Sequence, residues 1–148
     1  MAKAKVFVDS SIIISALLSA KGGSFYILND LKDSFVLQFN EYGLEEIQEI
    51  IHIKFSNMSH FLSRMHLLLG FARVIILPYP EKKESNPLKQ FVAANDAPIL
   101  ASALKYSDYL LTLDNGFFKP KVITLSAKAG LTIFKPKDLI ENFRNTQI

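Results

Sequence analysis

Short runs of β-branched and aromatic residues recur along the chain, and the stretches between them have helical rather than alternating spacing. Lys5-Val6-Phe7-Val8, Phe35-Val36-Leu37-Gln38-Phe39, Val74-Ile75-Ile76-Leu77, Tyr109-Leu110-Leu111-Thr112 and Val122-Ile123-Thr124-Leu125 read as five strands. A helix is expected from Ile12 to Leu18, capped by Ser10 or Ser11, and another from Phe25 to Leu31, capped by Ser24. Leu44, Ile47, Ile51 and Phe55 recur at three and four residues, one apolar stripe of a third helix. Helical patterns also cover Phe61 to Phe71, Asp96 to about Lys105, and Asp138 to Phe143. The segment 78–90, with Pro78, Pro80 and Pro87, reads as a loop. Strands that alternate with helices build α/β folds around a mainly parallel sheet, because a parallel pair needs a crossover connection. The expectation is one domain over residues 1–148, with about five strands in the sheet.

Composition narrows the classes. Of the 148 residues, 49% are hydrophobic and 21% charged, enough apolar material for a core without staples. Cysteine is absent, which removes disulfides, thiolate nucleophiles and zinc-thiolate sites. Lys3 and Lys5 before the apolar stretch Val6 to Ala20 loosely mimic a signal peptide, but Asp9 lies inside it, and a carboxylate in a membrane-inserting segment is expensive. No apolar run reaches about 18 residues. A cytoplasmic protein with no membrane association is expected.

Charge is unevenly placed. The net charge is +3, yet residues 119–148 hold six basic and two acidic residues. A basic stretch of this kind can meet phosphates or simply solvate a surface.

Four acidic positions stand where a parallel sheet concentrates its chemistry. Asp9 follows the first strand and Asp114 the fourth, and Asp96 opens the helix before that fourth strand. Carboxyl ends of parallel strands and N-termini of crossover helices share one sheet edge, where ligands bind. Glu46, or its neighbour Glu45, lies early on the helix that follows the second strand. Local alternatives exist for most of these. Asp96 before Ala97-Pro98 suits an N-cap, Asp114 before Asn115-Gly116 suits a turn, and glutamates near a helix start favour the dipole. Asp9 is the hardest to explain structurally, because a charge set between Val8 and Ile12 is costly without a task. Clustered carboxylates are tolerated when they share protons or hold a hard cation such as Mg²⁺ or Mn²⁺, which can activate water against a phosphodiester. Ser11 and Thr112 can hydrogen-bond the carboxylates or a phosphate. His52, His60 and His66 show no ligand spacing, and surface or interface roles suit them better. No P-loop, GxGxxG or GxSxG sequence is present.

Val6-Phe7-Val8-Asp9-Ser10-Ser11-Ile12, Leu44-Glu45-Glu46-Ile47-Gln48-Glu49-Ile50-Ile51, Asp96-Ala97-Pro98-Ile99-Leu100-Ala101 and Asp108-Tyr109-Leu110-Leu111-Thr112-Leu113-Asp114 together resemble the four motifs of the PIN domain, the nuclease module of VapC-type toxins and related ribonucleases. Ile133-Phe134-Lys135-Pro136-Lys137-Asp138-Leu139-Ile140 is similar to that family's last strand and helix, so the resemblance spans nearly the whole chain. It implies a three-layer α/β/α sandwich. It implies hydrolysis of RNA, single-stranded in the first instance, with Mg²⁺ or Mn²⁺ held by Asp9, Glu46, Asp96 and Asp114 as catalytic acids. Ser11, Thr112 and Asn115 become candidate substrate contacts. Aligning the second acid with Glu46 puts Ile47, Ile50 and Ile51 where the family places apolar residues, with Glu45 as the alternative. Asn115 stands where a further acid could follow Asp114, which argues against a second metal. The toxin branch implies an antitoxin partner and a homodimer, for which Ile50, Ile53, Phe61 and Leu67 can supply either an interface or core. A housekeeping PIN nuclease and a non-catalytic RNA-binding PIN domain are the competing expectations. With the four acids set aside, the remaining side chains sum to +7, an acidic pocket within a basic remainder.

Overall fold

The structure is a computed structural model that describes residues 2–147. In chain order the elements are β1 (Ala4–Val8), α1 (Ser10–Leu18), α2 (Gly23–Asn29), β2 (Phe35–Asn40), α3 (Glu41–Lys54), α4 (Phe61–Phe71) and β3 (Ile75–Leu77). There follow α5 (Lys82–Ser85), a 3-10 turn (Asn86–Gln90), α6 (Ala97–Tyr106), β4 (Tyr109–Leu111), a second 3-10 turn (Asn115–Phe118), α7 (Pro120–Lys128), β5 (Thr132–Phe134) and α8 (Pro136–Thr146). The five strands form one parallel sheet in the order β3-β2-β1-β4-β5, and the helices flank it as a three-layer α/β/α fold.

The central strand is deeply buried towards its carboxyl end. Val6, Phe7 and Val8 are inaccessible to solvent, as expected for a strand covered on both faces. In register, Val6 pairs with Leu37 on one side and Tyr109 on the other, and Val8 with Leu111. The helices press Ile12, Ile13, Ile27, Leu28, Ile47, Met65, Ile99 and Leu139 onto the sheet, all within the same buried cluster. At the edge, Ile75 and Ile76 of β3 remain exposed.

Several local expectations are corrected. Val122-Ile123-Thr124-Leu125 is not a strand but part of α7. Pro120 sits in the first turn, where its fixed φ suits a helix start, and Val122 and Ser126, four residues apart, are buried with Leu125 packed beside them. Tertiary packing overrides the β-propensity of the run, and the fifth strand place is filled by Thr132–Phe134. Gly130, at φ +81, makes the turn into it. Within 78–90 a helical turn forms at α5, closed by a capping box between Glu81 and Glu84. Asp9, not Ser10 or Ser11, caps α1, and Gly22 rather than Ser24 precedes α2. The expected interface residues also separate. Phe61 is core, Ile53 and Leu67 are exposed, and Ile50 is half-buried.

The β2–α3 junction is built tightly. Asn40, fully buried, accepts from the Gly43 N–H at 2.8 Å and donates to Ser102 Oγ at 2.8 Å and to the Pro98 carbonyl at 3.3 Å. A Cβ at Gly43 would collide with the Phe39 ring, so only glycine lets the helix leave the strand so closely. This junction fixes α3 against α6, the two helices that carry Glu46 and Asp96. Among the described residues, no single helix is long and apolar enough to cross a membrane.

Candidate active site

The sheet order places β1 between β2 and β4, so the chain reverses its direction of winding between β1 and β4. Connections leave the carboxyl ends of these two strands to opposite sides and open a crevice there. Asp9 stands at the end of β1, where its N–H donates to the Leu111 carbonyl at 3.0 Å. Thr112 and Asp114 follow the end of β4. Asp96 comes from the start of α6 and Glu46 from α3.

Asp9, Glu46, Asp96 and Asp114 line one open cleft of about 460 Å³, with Ser10, Ser11, Asn95 and the apolar walls Ile14 and Ile50. The structure therefore brings all four acids together. Asp9 is only 5% exposed. One of its carboxylate oxygens accepts from the Ser10 N–H at 2.8 Å and from Ser10 Oγ at 3.4 Å. The other accepts from Thr112 Oγ at 2.8 Å and Ser11 Oγ at 3.0 Å. Burial pushes this carboxyl above its ordinary range, and the hydrogen bonds from Thr112, Ser11 and Ser10 oppose that push.

Thr112 is a strut. While donating to Asp9, its hydroxyl accepts from the Asp114 N–H at 3.0 Å. Ser11 makes the parallel link, donating to Asp9 and accepting from the Leu113 N–H at 3.2 Å. These two hydroxyls join the ends of β1 and β4. Thr112 is fully buried, which corrects its expected role as a substrate contact: it positions the acids from beneath. Asn115 stands apart from Thr112. It is exposed, begins the 3-10 turn and does not line the cleft. Ser11 does line it.

Asp96 occupies the N-cap position of α6 but makes no capping hydrogen bond, which leaves its carboxyl to the cleft. That carboxyl is pushed up to about 7, first by burial, then by the charge of Asp114 and a hydrogen bond shared with it, then by Asp9 and Glu46. Asp114 keeps its turn role as well, accepting from the Gly116 N–H at 2.9 Å. The Glu45 and Glu46 alternatives separate cleanly. Glu46 lines the cleft, accepts from Ser10 Oγ at 3.5 Å and from Asn95, and is raised by burial and then by Asp9. Glu45 instead accepts from the Tyr79 hydroxyl. Asn95 and Ser10 were not singled out by sequence reasoning as site residues. Their only signal is adjacency to Asp96 and Asp9. The three histidines are exposed and lie outside the cleft, with His52 and His60 beside the stacked rings of Phe55 and Phe61.

The donor set is all oxygen, and among the described residues none of the four acids is ion-paired with a lysine or arginine. Crowded, uncompensated carboxylates suit a hard divalent cation. Among the described residues, no three His, Asp or Glu side chains are drawn together into a ready coordination sphere. A hard cation here could take only one or two of the carboxylates directly and would keep several waters.

No protein-family model matches the chain, and no curated protein matches it in sequence. Solved structures match its fold. A chain of VapBC2 from Rickettsia felis, bound to a DNA fragment from their promoter, superposes with a TM-score of 0.65 at 16% identity, covering 88% of this chain and 98% of that one. A chain of FitAcB from Neisseria gonorrhoeae gives 0.60 at 18% identity, covering 88% of this chain and 97% of that one. The fold is therefore of the VapC/PIN type, in agreement with the resemblance read from the four motifs.

Proposed function

We propose that this protein is a divalent-metal-dependent endoribonuclease, the toxin of a toxin–antitoxin pair. The observation that carries the reading is the convergence of Asp9, Glu46, Asp96 and Asp114 in one cleft at the point where the sheet reverses its winding. The likeness to VapBC2 and FitAcB supports the toxin–antitoxin context. An antitoxin-type protein, together with a second copy of the chain, belongs to the proposal as a partner.

Asp9 and Asp114, joined through Thr112, would be the fixed ligands of Mg²⁺ or Mn²⁺, with Asp96 and Glu46 facing them. The cation, when bound, would lower the pKa of water and neutralise charge on the phosphodiester. The chain's own part is orientation and proton handling. Ser10, Ser11 and Thr112 lock Asp9 in one rotamer. Asn95 and Ser10 aim Glu46 across the cleft. Asp96 is held up near 7 by burial and by the other acids when no cation is present, and a cation among them would draw it back towards the carboxylate form that a general base requires. Ile14 and Ile50 supply a wall that limits water around the acids.

Cleavage of single-stranded RNA with Mn²⁺ by the wild type and Asp9→Asn tests the reading. Loss of cleavage in the variant and in EDTA is expected, and equal activity in either would sink it. A binding-only module is the second reading, prompted by the lack, among the described residues, of three acids gathered into a ready coordination sphere. Absence of Mn²⁺ binding by calorimetry, with RNA binding retained, would favour it.

A further inference from the structure

We propose that the hollow beside the acidic cleft is a nucleobase subsite for single-stranded RNA, in which Tyr79 stacks one base, Tyr42 meets its edge, and Lys82 and Lys89 meet the adjoining phosphates. The inference rests on the nuclease reading for its substrate and extends it by naming where the strand is held. The hollow encloses about 510 Å³, within the range of about 300–1,000 Å³ typical of organic ligand sites.

Its position follows from helix geometry. Tyr42 and Glu46 are four residues apart on α3, so they share a face. Pro98, two residues beyond Asp96 on α6, lines the hollow as Asp96 lines the cleft. The two depressions thus share the walls α3 and α6. Consistent with that closeness, burial and then the charges of Glu46 and Asp96 raise the Tyr42 phenol.

Its chemistry suits a base with its phosphates. The Tyr42 and Tyr79 rings meet edge to face, with centroids 6.5 Å apart and planes at 79°. That arrangement leaves ring faces available for stacking, the sequence-tolerant contact of single-strand binders. Tyr79 is 45% exposed, and a hydrogen bond from its hydroxyl to Glu45 raises the phenol to about 12. That bond engages Glu45, although Glu41 also lies beside Tyr79. Lys83 and Lys105 are committed to Glu81 and Glu84, whereas among the described residues Lys82 and Lys89 have no ion-pair partner. Both are exposed, as is Asn86 between them, which can hydrogen-bond a base edge. A polyanion approaching four carboxylates needs cations beside its path, and these two lysines stand there.

The test uses the full chain and a fluorescently labelled single-stranded hexaribonucleotide of mixed sequence, with binding read by anisotropy in EDTA so that cleavage cannot intervene. Melting temperatures verify that each variant is folded. Tyr79→Ala should weaken binding roughly tenfold or more, and Tyr79→Phe should retain it. Lys82→Ala with Lys89→Ala should weaken binding and reduce the logarithmic salt slope by roughly 0.7 per lysine. Replacing one nucleotide of the probe by an abasic one should lower wild-type affinity by a factor like that of Tyr79→Ala, without further loss when the two are combined. Wild-type binding of the hexamer by Tyr79→Ala and the double lysine variant would overturn the subsite, as would absence of binding by the wild type. Cleavage with Mn²⁺ separates the two readings. A wild type that binds through the hollow yet does not cleave keeps the subsite and loses the nuclease. A wild type that cleaves, with KM unmoved in the variants, keeps the nuclease and loses the subsite.

Discussion

Replacing Asp96 by Asn should stabilise the metal-free protein, and only when the solution is neutral or alkaline. The folded chain raises this carboxyl from 3.8 to about 7, with burial first and then Asp114, Asp9 and Glu46 all acting in one direction. At about 1.36 kcal/mol for each pKa unit, a fully buried group with this shift would weaken the fold by about 4 kcal/mol once ionised. Asp96 is partly exposed, and solvent screens its charge, so the expected gain from Asp96→Asn falls to about 1–2 kcal/mol. For a chain of this size that corresponds to a rise of roughly 3–6 °C in Tm.

The sign fixes the pH window. Because the folded pKa lies above the unfolded one, the protonated carboxyl's contribution is fully present below about 4 and is lost as pH rises to about 7. The variant's advantage should therefore be near zero at pH 4, grow through pH 5 and 6, and level off above 7. Thermal melts of both proteins in EDTA across pH 4 to 8.5 measure this directly. An Asn variant no more stable than wild type at pH 8.5 would refute the reasoning. So would an equal gain at pH 4 and pH 8.5, because it would owe nothing to charge.

Thr112→Val should lower stability by about 1–3 kcal/mol in urea titrations and reduce metal-dependent cleavage, since it removes one of the hydrogen bonds to buried Asp9 and orphans the Asp114 N–H, while Thr112→Ser should restore both. Asn40→Ala removes the α3 cap and the tie to Ser102, and should cost about 2 kcal/mol by the same titration. Mn²⁺ should raise the wild-type Tm with the logarithm of its concentration above Kd, reaching about 2.7 kcal/mol of stabilisation at a hundredfold excess over Kd, with little shift in Asp9→Asn. An unmoved wild-type Tm at millimolar Mn²⁺ would count against a metal site.

How far the sequence revealed this site differs from residue to residue. Asp9 was legible because a charge inside an apolar stretch has few inexpensive explanations, and its burial bears out that reasoning. Glu46 could be placed only within one residue by pattern, because Glu45 shares the same helix turn, and only the direction of each side chain separates them. Asp96 looked like a cap and holds the cap position, yet its side chain makes no capping hydrogen bond. The run 122–125 was misread because β-branched residues state a preference that a helix under Pro120 can override. The role of Thr112 was legible only as a pair of alternatives, a hydrogen bond to the carboxylates or one to a phosphate. Whether a strand-end hydroxyl faces substrate or supports a carboxylate depends on what lies a hundred residues away in sequence, and here that is Asp9.

Thr112 also shows why the site and the fold cannot be altered separately. Asp9 and Asp114 repel, and they come from strands that pair directly across the point where the winding reverses. Without the two hydroxyl bridges, that repulsion would act to part β1 from β4, the pair at the centre of the sheet. Thr112 and Ser11 each donate to Asp9 and accept from the β4 loop, so the hydrogen bonds that orient the carboxylate also close the crevice beneath it. A cation held between the acids would relieve the same repulsion from above. Metal affinity and sheet stability are thus linked through one pair of strands. Substitutions in that pair should move both together, whereas substitutions at Tyr79 or Lys89, outside it, should move RNA binding alone.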